Sequence, residues 1–128
     1  MKPLLLALAV AANAAAQSPC PTPADTATPL QAGPVQLAWR AEPSPIVVGQ
    51  PFALLLSLCP ASAVLLRVDA SMPEHRHGMN YRTSLQPLGS GRWRAAGLLW
   101  HMAGRWELRL DVQADGATYT ARQSLVLP

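Results

Sequence analysis

The sequence predicts an all-β protein, an antiparallel β-sandwich of about seven short strands. From residue 35 onward, apolar and polar residues alternate with a period of two, as in strands that bury one face. Turn-forming stretches such as Gly49-Gln50-Pro51 and Asp115-Gly116 separate the alternating segments, and no convincing helical pattern accompanies them. Two packed sheets are therefore the expected architecture.

The first 16 residues have the composition of a secretory signal peptide. Lys2 precedes an apolar run over residues 4–10, and small residues lead to an Ala-x-Ala-like site with cleavage after Ala16. The run is too short to span a bilayer in the mature chain, so we expect a periplasmic or secreted protein. Two alternatives stay open: residues 1–16 are retained as an anchor, or Cys20 carries a lipid, although Gln17-Ser18-Pro19 is not the usual lipobox.

Residues 17–34 form a proline-rich N-terminal arm, and residues 35–128 form the β-sandwich domain. An exported chain meets an oxidising compartment, so Cys20 and Cys59 are expected to form a disulfide that ties the arm to the domain. On the chain-entropy model this disulfide stabilises the fold by about 3–4 kcal/mol. The alternative is a pair of thiolate metal ligands, although the spacing does not suggest a zinc site.

The first half of the domain contains four predicted strands, at residues 35–40, 46–48, 52–58 and 64–69. The stretch 52–58 is nearly all apolar, which suits a central strand with both faces covered. In the fourth strand, Val64, Leu66 and Val68 are two residues apart and alternate with Arg67 and Asp69, which places these three apolar residues on one face.

The second half continues the pattern at residues 81–85, 93–99, 106–112 and 117–127. The clearest alternation is in 106–112, where four large apolar residues interleave with three charged ones. In the last segment Tyr119, Ala121, Leu125 and Leu127 are expected on one face.

The charge pattern argues against nucleic acid as a partner. The formal net charge is +3, and it falls to +2 when the signal peptide with Lys2 is removed. The arginines that remain are spread along the chain, whereas a nucleic-acid footprint needs a concentrated basic stripe.

All three histidines, and every methionine beyond the signal peptide, fall in two short windows, residues 72–79 and 101–102. If the strands 64–71, 80–87, 92–100 and 105–112 each reverse direction, their connections alternate between the two ends of the sandwich. The loops 72–79 and 101–104 then lie at the same end, separated by the few ångströms between neighbouring strands or sheets. Both windows are therefore expected to meet at one rim.

Imidazole and thioether are copper ligands: thioether favours Cu(I), and imidazole serves either oxidation state. The predicted ligands are His75, His77, Met79 and His101, with Met72 and Met102 as further candidates. If His75-x-His77 is extended, both rings project to one side and Glu74 and Arg76 to the other. Trp100 is expected to flank the rim. The alternative is a structural corner, in which the histidines bond to backbone groups and the methionines cap the core.

The stretch VDASMPEHRHGMNY and the later GRWRAAGLLWHMAGRWELRLDV resemble the YtkA-like family, which also includes FixH-like proteins. The resemblance covers roughly residues 46–127. The matching positions are Met72, Pro73, His75, His77, Gly78, Met79, Gly91, Trp93, Gly97, Met102, Gly104 and Trp106. Ala103 stands where a proline is common. The resemblance implies a small immunoglobulin-like sandwich, similar to the CopC type of periplasmic copper carriers.

The resemblance also implies copper handling or cytochrome oxidase assembly, with a copper-handling or respiratory-complex protein as partner. FixH-like proteins usually keep a membrane helix, which we do not expect in this mature chain, so the assembly role does not transfer directly. The first hypothesis is a periplasmic copper carrier or chaperone. The second is a non-catalytic module that docks on a membrane or respiratory complex. An enzyme is not expected, because His-Glu-x-x-His and Gly-x-Ser-x-Gly motifs are missing from the sequence.

Overall fold

Two antiparallel sheets pack face to face in the computed structural model, which describes Ala9 and residues 20–128. The predicted signal peptide therefore lies outside the described residues, apart from Ala9, and so does the start of the arm at residues 17–19. The described residues form nine strands: β1 (Thr28–Ala32), β2 (Val35–Glu42), β3 (Phe52–Cys59), β4 (Val64–Met72), β5 (His77–Gly78), β6 (Ser84–Gly89), β7 (Arg92–Leu98), β8 (Gly104–Ala114) and β9 (Ala117–Leu127).

The strand order is that of an immunoglobulin sandwich. The first sheet has the order β1-β2-β3-β7-β6, and the second has the order β5-β4-β8-β9. With β2 as strand A, these orders reproduce the A-B-E-D sheet and the C-F-G sheet of immunoglobulin domains. The predicted antiparallel sandwich is confirmed; β1 and the two-residue β5 are additions to its seven central strands.

The sandwich begins at Thr28, whereas the sequence pattern placed its start at Val35. Thr28–Ala32, assigned to the arm, pairs with β2 across the turn at Gly33. β1 is the edge strand of its sheet, and an edge strand tolerates a proline such as Pro29 because no ladder bond is lost on the outer side.

The predicted strand at residues 46–48 is a loop. Pro43, Pro45 and Pro51 flank it and remove donors that a ladder would need. Ile46 and Val48 nevertheless pack against the core, and the Gly49 N–H donates a hydrogen bond to the Trp100 carbonyl at 2.9 Å.

Two further strand predictions differ from the structure. In β4, Val64 and Leu66 are exposed while Leu65 and Val68 are buried, because a bulge between Leu65 and Arg67 shifts the alternation by one residue. The strand predicted from residue 81 begins at Ser84, and Tyr81 is 61% exposed.

The core lies between the sheets and is built from the alternating apolar residues of β2, β3 and β8. Leu54, Leu58 and Leu110 are at most 1% exposed. In β9, the predicted face of Tyr119, Ala121, Leu125 and Leu127 is buried or half-buried, while its neighbours are exposed. These strands place the loops of the sandwich at its two ends.

The Cys20–Cys59 disulfide is present, so the predicted pairing is confirmed. It ties the segment 20–27 across the outer face of the first sheet, where Arg92 donates a hydrogen bond to the Thr22 carbonyl at 3.0 Å. Ala38 and Ser57 point to the outer face, because their strand neighbours point to the core. They are nevertheless only 5% and 7% exposed, since this segment lies over them. Within residues 20–128, no helix is long and apolar enough to cross a membrane.

Candidate metal centre

Both histidine-containing loops lie at one end of the sandwich. β4 ends at Met72 and β8 begins at Gly104, and these two strands are antiparallel neighbours, with Ser71 opposite Glu107. The loop after β4 and the loop before β8 therefore emerge side by side. The predicted convergence of the two windows at one rim is confirmed.

The three imidazoles of the chain form a contiguous group at this rim. The ring centroids of His75 and His77 are 6.2 Å apart, and those of His77 and His101 are 6.0 Å apart. All three side chains are exposed. Two imidazoles that bind one metal through nitrogens at about 2.0–2.1 Å have centroids roughly 5–6 Å apart. The His77–His101 spacing is at the upper limit of that range, and the His75–His77 spacing is slightly beyond it.

The rings are neighbours, but they are not a preformed ligand set. In the part of the chain that the structure describes, no group of three or more His, Cys, Asp or Glu side chains is arranged to hold a metal ion. Holding copper would therefore require the exposed rings to reorient about their side-chain torsions. The chemistry of the donor set, three imidazoles with thioethers in the same loops, fits copper.

A tight reverse turn brings His75 and His77 together. β5 pairs back on the end of β4, with His77 opposite Met72, and the His75 N–H donates to the Met72 carbonyl at 3.1 Å. Arg76, between the histidines, has a φ of 53°, in the left-handed region. The segment is therefore a turn, whereas the sequence interpretation considered an extended segment. The turn itself places the two rings near each other.

The methionines occupy three different environments. Met72 is fully buried, and its Cε lies so close to Gly104 that a Cβ there would come within 2.9 Å of it. Met79 is half-buried and lines a groove with Leu66. Met102 is 36% exposed and follows His101 directly, so its thioether is the one most open to solvent at the rim.

Two stacked tryptophans form the floor beneath His101. The His101 ring stands edge-on to Trp106, with centroids 5.6 Å apart, and Trp106 stacks on Trp100 at 5.2 Å. The Trp106 indole N–H donates a hydrogen bond to the Met102 carbonyl at 3.0 Å and so fixes the loop before β8. Both tryptophans are 0% exposed, so the expectation that Trp100 flanks the rim was wrong: it lies below it, against Phe52.

An ion pair on the surface joins the turn to the second sheet. Arg105 Nε donates to Glu74 Oε1 at 2.7 Å, and Arg105 Nη1 donates to Ser124 Oγ at 3.1 Å. The hydrogen bond from Arg105 and its positive charge hold the pKa of the Glu74 carboxyl below its ordinary value. Sequence reasoning missed Arg105 and Trp106 as partners of the rim; the adjacency of Trp106 to the His101 window was the available signal for Trp106.

No family model, curated protein or solved structure matches this chain. The resemblance to the YtkA-like family therefore stays a prediction, and the arrangement of the rim carries the functional argument.

Proposed function

We propose that this chain is an exported copper carrier or chaperone that holds copper at the rim, with His75, His77 and His101 as its central ligands. The observation that carries the proposal is the distance of 6.0 Å between the ring centroids of His77 and His101. It shows that candidate ligands from two separate loops lie next to each other. Met102 is the thioether best exposed to join them, while Met72 and Met79 would have to leave packed positions.

The cysteines support this ligand set indirectly. Cys20 and Cys59 are oxidised, so they leave no thiolate to compete for copper. A disulfide also agrees with an oxidising compartment, and so with export to the periplasm or outside the cell. A copper-handling or respiratory-complex protein of that compartment, as the family resemblance implies, is the proposed partner.

Competition titration with Cu(I) and with Cu(II) tests the proposal. We expect a dissociation constant below about 1 μM, and at least a tenfold weakening in the His75→Ala/His77→Ala and His101→Ala variants. A tenfold weakening corresponds to about 1.4 kcal/mol of binding free energy. Tryptophan fluorescence reports the same event, because Trp106 lies beside His101. Asn80→Ala, at an exposed position next to the loop, is the control.

Binding weaker than micromolar, or unchanged binding in the double histidine variant, would contradict copper carriage. Thermal denaturation gives an independent measure, since copper at a hundred times its dissociation constant should stabilise the fold by about 2.7 kcal/mol.

The second candidate is a non-catalytic interaction module in which the histidine turn is a structural corner. Two contacts favour it: the Glu74–Arg105 ion pair and the Trp106–Met102 hydrogen bond give each loop a structural role without metal. Under this hypothesis copper leaves the melting temperature unchanged, and the histidine variants retain any binding to a respiratory complex.

A further inference from the structure

The carboxylate next to the histidine turn is already engaged. Glu74 directly precedes His75, and its Oε1 accepts a hydrogen bond from Arg105 Nε at 2.7 Å. Arg105 is itself held by Ser124 on the neighbouring strand, at 3.1 Å. The guanidinium therefore draws Glu74 toward the outer face of the second sheet.

This ion pair decides which kinds of donor the rim offers to a metal. Imidazole nitrogen and thioether sulfur accommodate Cu(I), whereas a carboxylate oxygen adds a hard, negatively charged ligand that favours divalent ions such as Zn²⁺. With Glu74 on Arg105, the side-chain donors that remain in the two loops are imidazoles and thioethers.

We propose that Arg105 is a specificity-determining positioning residue, which withholds the Glu74 carboxylate from the metal and thereby biases the rim toward Cu(I) over divalent ions. The proposal rests on the proposed function, because it concerns the selectivity of the same histidine site. Arg105 touches no metal in this scheme; it acts through Glu74.

The size of the effect is limited by exposure. The side chains of Arg105 and Glu74 are 33% and 62% exposed, so the pair is screened by water. Exposed ion pairs are weak, so we expect a change of at most about fivefold in the ratio of the two affinities.

The test measures the ratio of the Cu(I) and Zn²⁺ dissociation constants by competition titration with the free metals. Arg105→Gln should raise the relative affinity for Zn²⁺ by about two- to fivefold, because Glu74 is released. The Arg105→Gln/Glu74→Gln double variant should return the ratio to that of the wild type, and Arg105→Lys should keep it close to that value. Arg122→Gln is the matched control, since Arg122 pairs with Glu107 on the same outer face.

A purely structural role for Arg105 would weaken the binding of both metals together and leave the ratio unchanged. An unchanged ratio in Arg105→Gln, or a ratio that the added Glu74→Gln substitution does not restore, overturns the inference while copper binding itself stands. Failure of the wild type to bind Cu(I) at all instead overturns the proposed function and this inference with it. Urea denaturation of each variant verifies that it folds.

Discussion

At the scale of single residues, Trp106 connects the rim to the core. Its ring is buried on Trp100 and touches His101 edge-on, and its indole N–H satisfies the carbonyl of Met102. The Trp106 side chain thus fixes the position of His101 and the conformation of the loop that carries it. An exposed loop gains from such an anchor because its own backbone has few other partners.

Trp106→Phe is expected to destabilise the protein by about 1–3 kcal/mol, because the Met102 carbonyl loses its donor and part of a buried ring is removed. The same change should weaken copper binding by freeing the loop. Urea denaturation and copper titration measure the two effects. Trp93→Phe, at a half-buried tryptophan on β7, is the control, and an equal loss in both variants would argue against a specific anchor.

The residues of the rim differ in how far they were predictable. The meeting of His75 and His77 with His101 follows from strand alternation, which fixes the end at which each loop lies. The pairing of Glu74 with Arg105 joins positions 31 residues apart, both on the surface, and no local pattern marks such a pair. The left-handed Arg76 also escaped prediction, since glycine is the residue expected there.

At the scale of elements, β8 shows the alternation at its clearest, and its outer face carries a buried charge. Asp111 is only 8% exposed, and its Oδ1 accepts hydrogen bonds from Thr120 Oγ1 at 2.7 Å and Arg109 Nε at 3.1 Å. Burial alone would raise the pKa of Asp111, but these hydrogen bonds and the charge of Arg109 outweigh burial, so its pKa lies below the ordinary value.

A carboxyl whose pKa is lower in the folded state stabilises the fold above the unfolded pKa of about 4, and this contribution is lost as the pH falls through the folded pKa. The wild type should therefore lose stability below about pH 4. Asp111→Asn should be less stable at pH 7 and show a smaller further loss in acid. Free energies of unfolding from urea titrations at pH 3 to 7 check this. Asp115→Asn, at an exposed turn, should show the same dependence of the free energy of unfolding on pH as the wild type.

Period-two alternation predicts the buried face of a strand only where the strand is regular. β8 and β9 pair over their whole length without a bulge, so their faces were predicted correctly. In β4 the bulge at Leu65 reverses the pattern, and a bulge leaves no signature in a short apolar run. Ile46, Val47 and Val48 have strand-forming side chains, but flanking prolines remove the hydrogen bonds that a strand requires.

At the scale of the whole molecule, the open edge of the second sheet is covered by the chain itself. β5 pairs with β4 only at Ser71 and Met72, so the rest of this edge has no partner strand among residues 20–128. There the Val68 carbonyl accepts a hydrogen bond from Thr83 Oγ1 at 2.7 Å, and the Ala70 N–H donates to Asp69 Oδ1 at 2.8 Å. Side chains that occupy edge groups in this way discourage pairing between molecules.

The Thr83→Val/Asp69→Ala variant should lose about 1–2 kcal/mol of stability and self-associate at concentrations where the wild type does not, because two edge groups become free. Sedimentation velocity over a range of concentrations measures the association. Thr118→Val, which replaces a threonine hydroxyl at an exposed position away from this edge, should behave as the wild type. A double variant that remains unassociated at every concentration would show that the edge needs no such cover.

The length of β3 separates the disulfide from the histidine rim. Its 8 residues run from Phe52, which contacts Trp100 under the rim, to Cys59 in the disulfide. At about 3.3 Å per residue, the seven steps between these two residues span about 23 Å. If the disulfide were reduced, its thiols would lie too far from the rim to bind an ion at the proposed site, so the thiol–disulfide state of the compartment would not compete with the histidines.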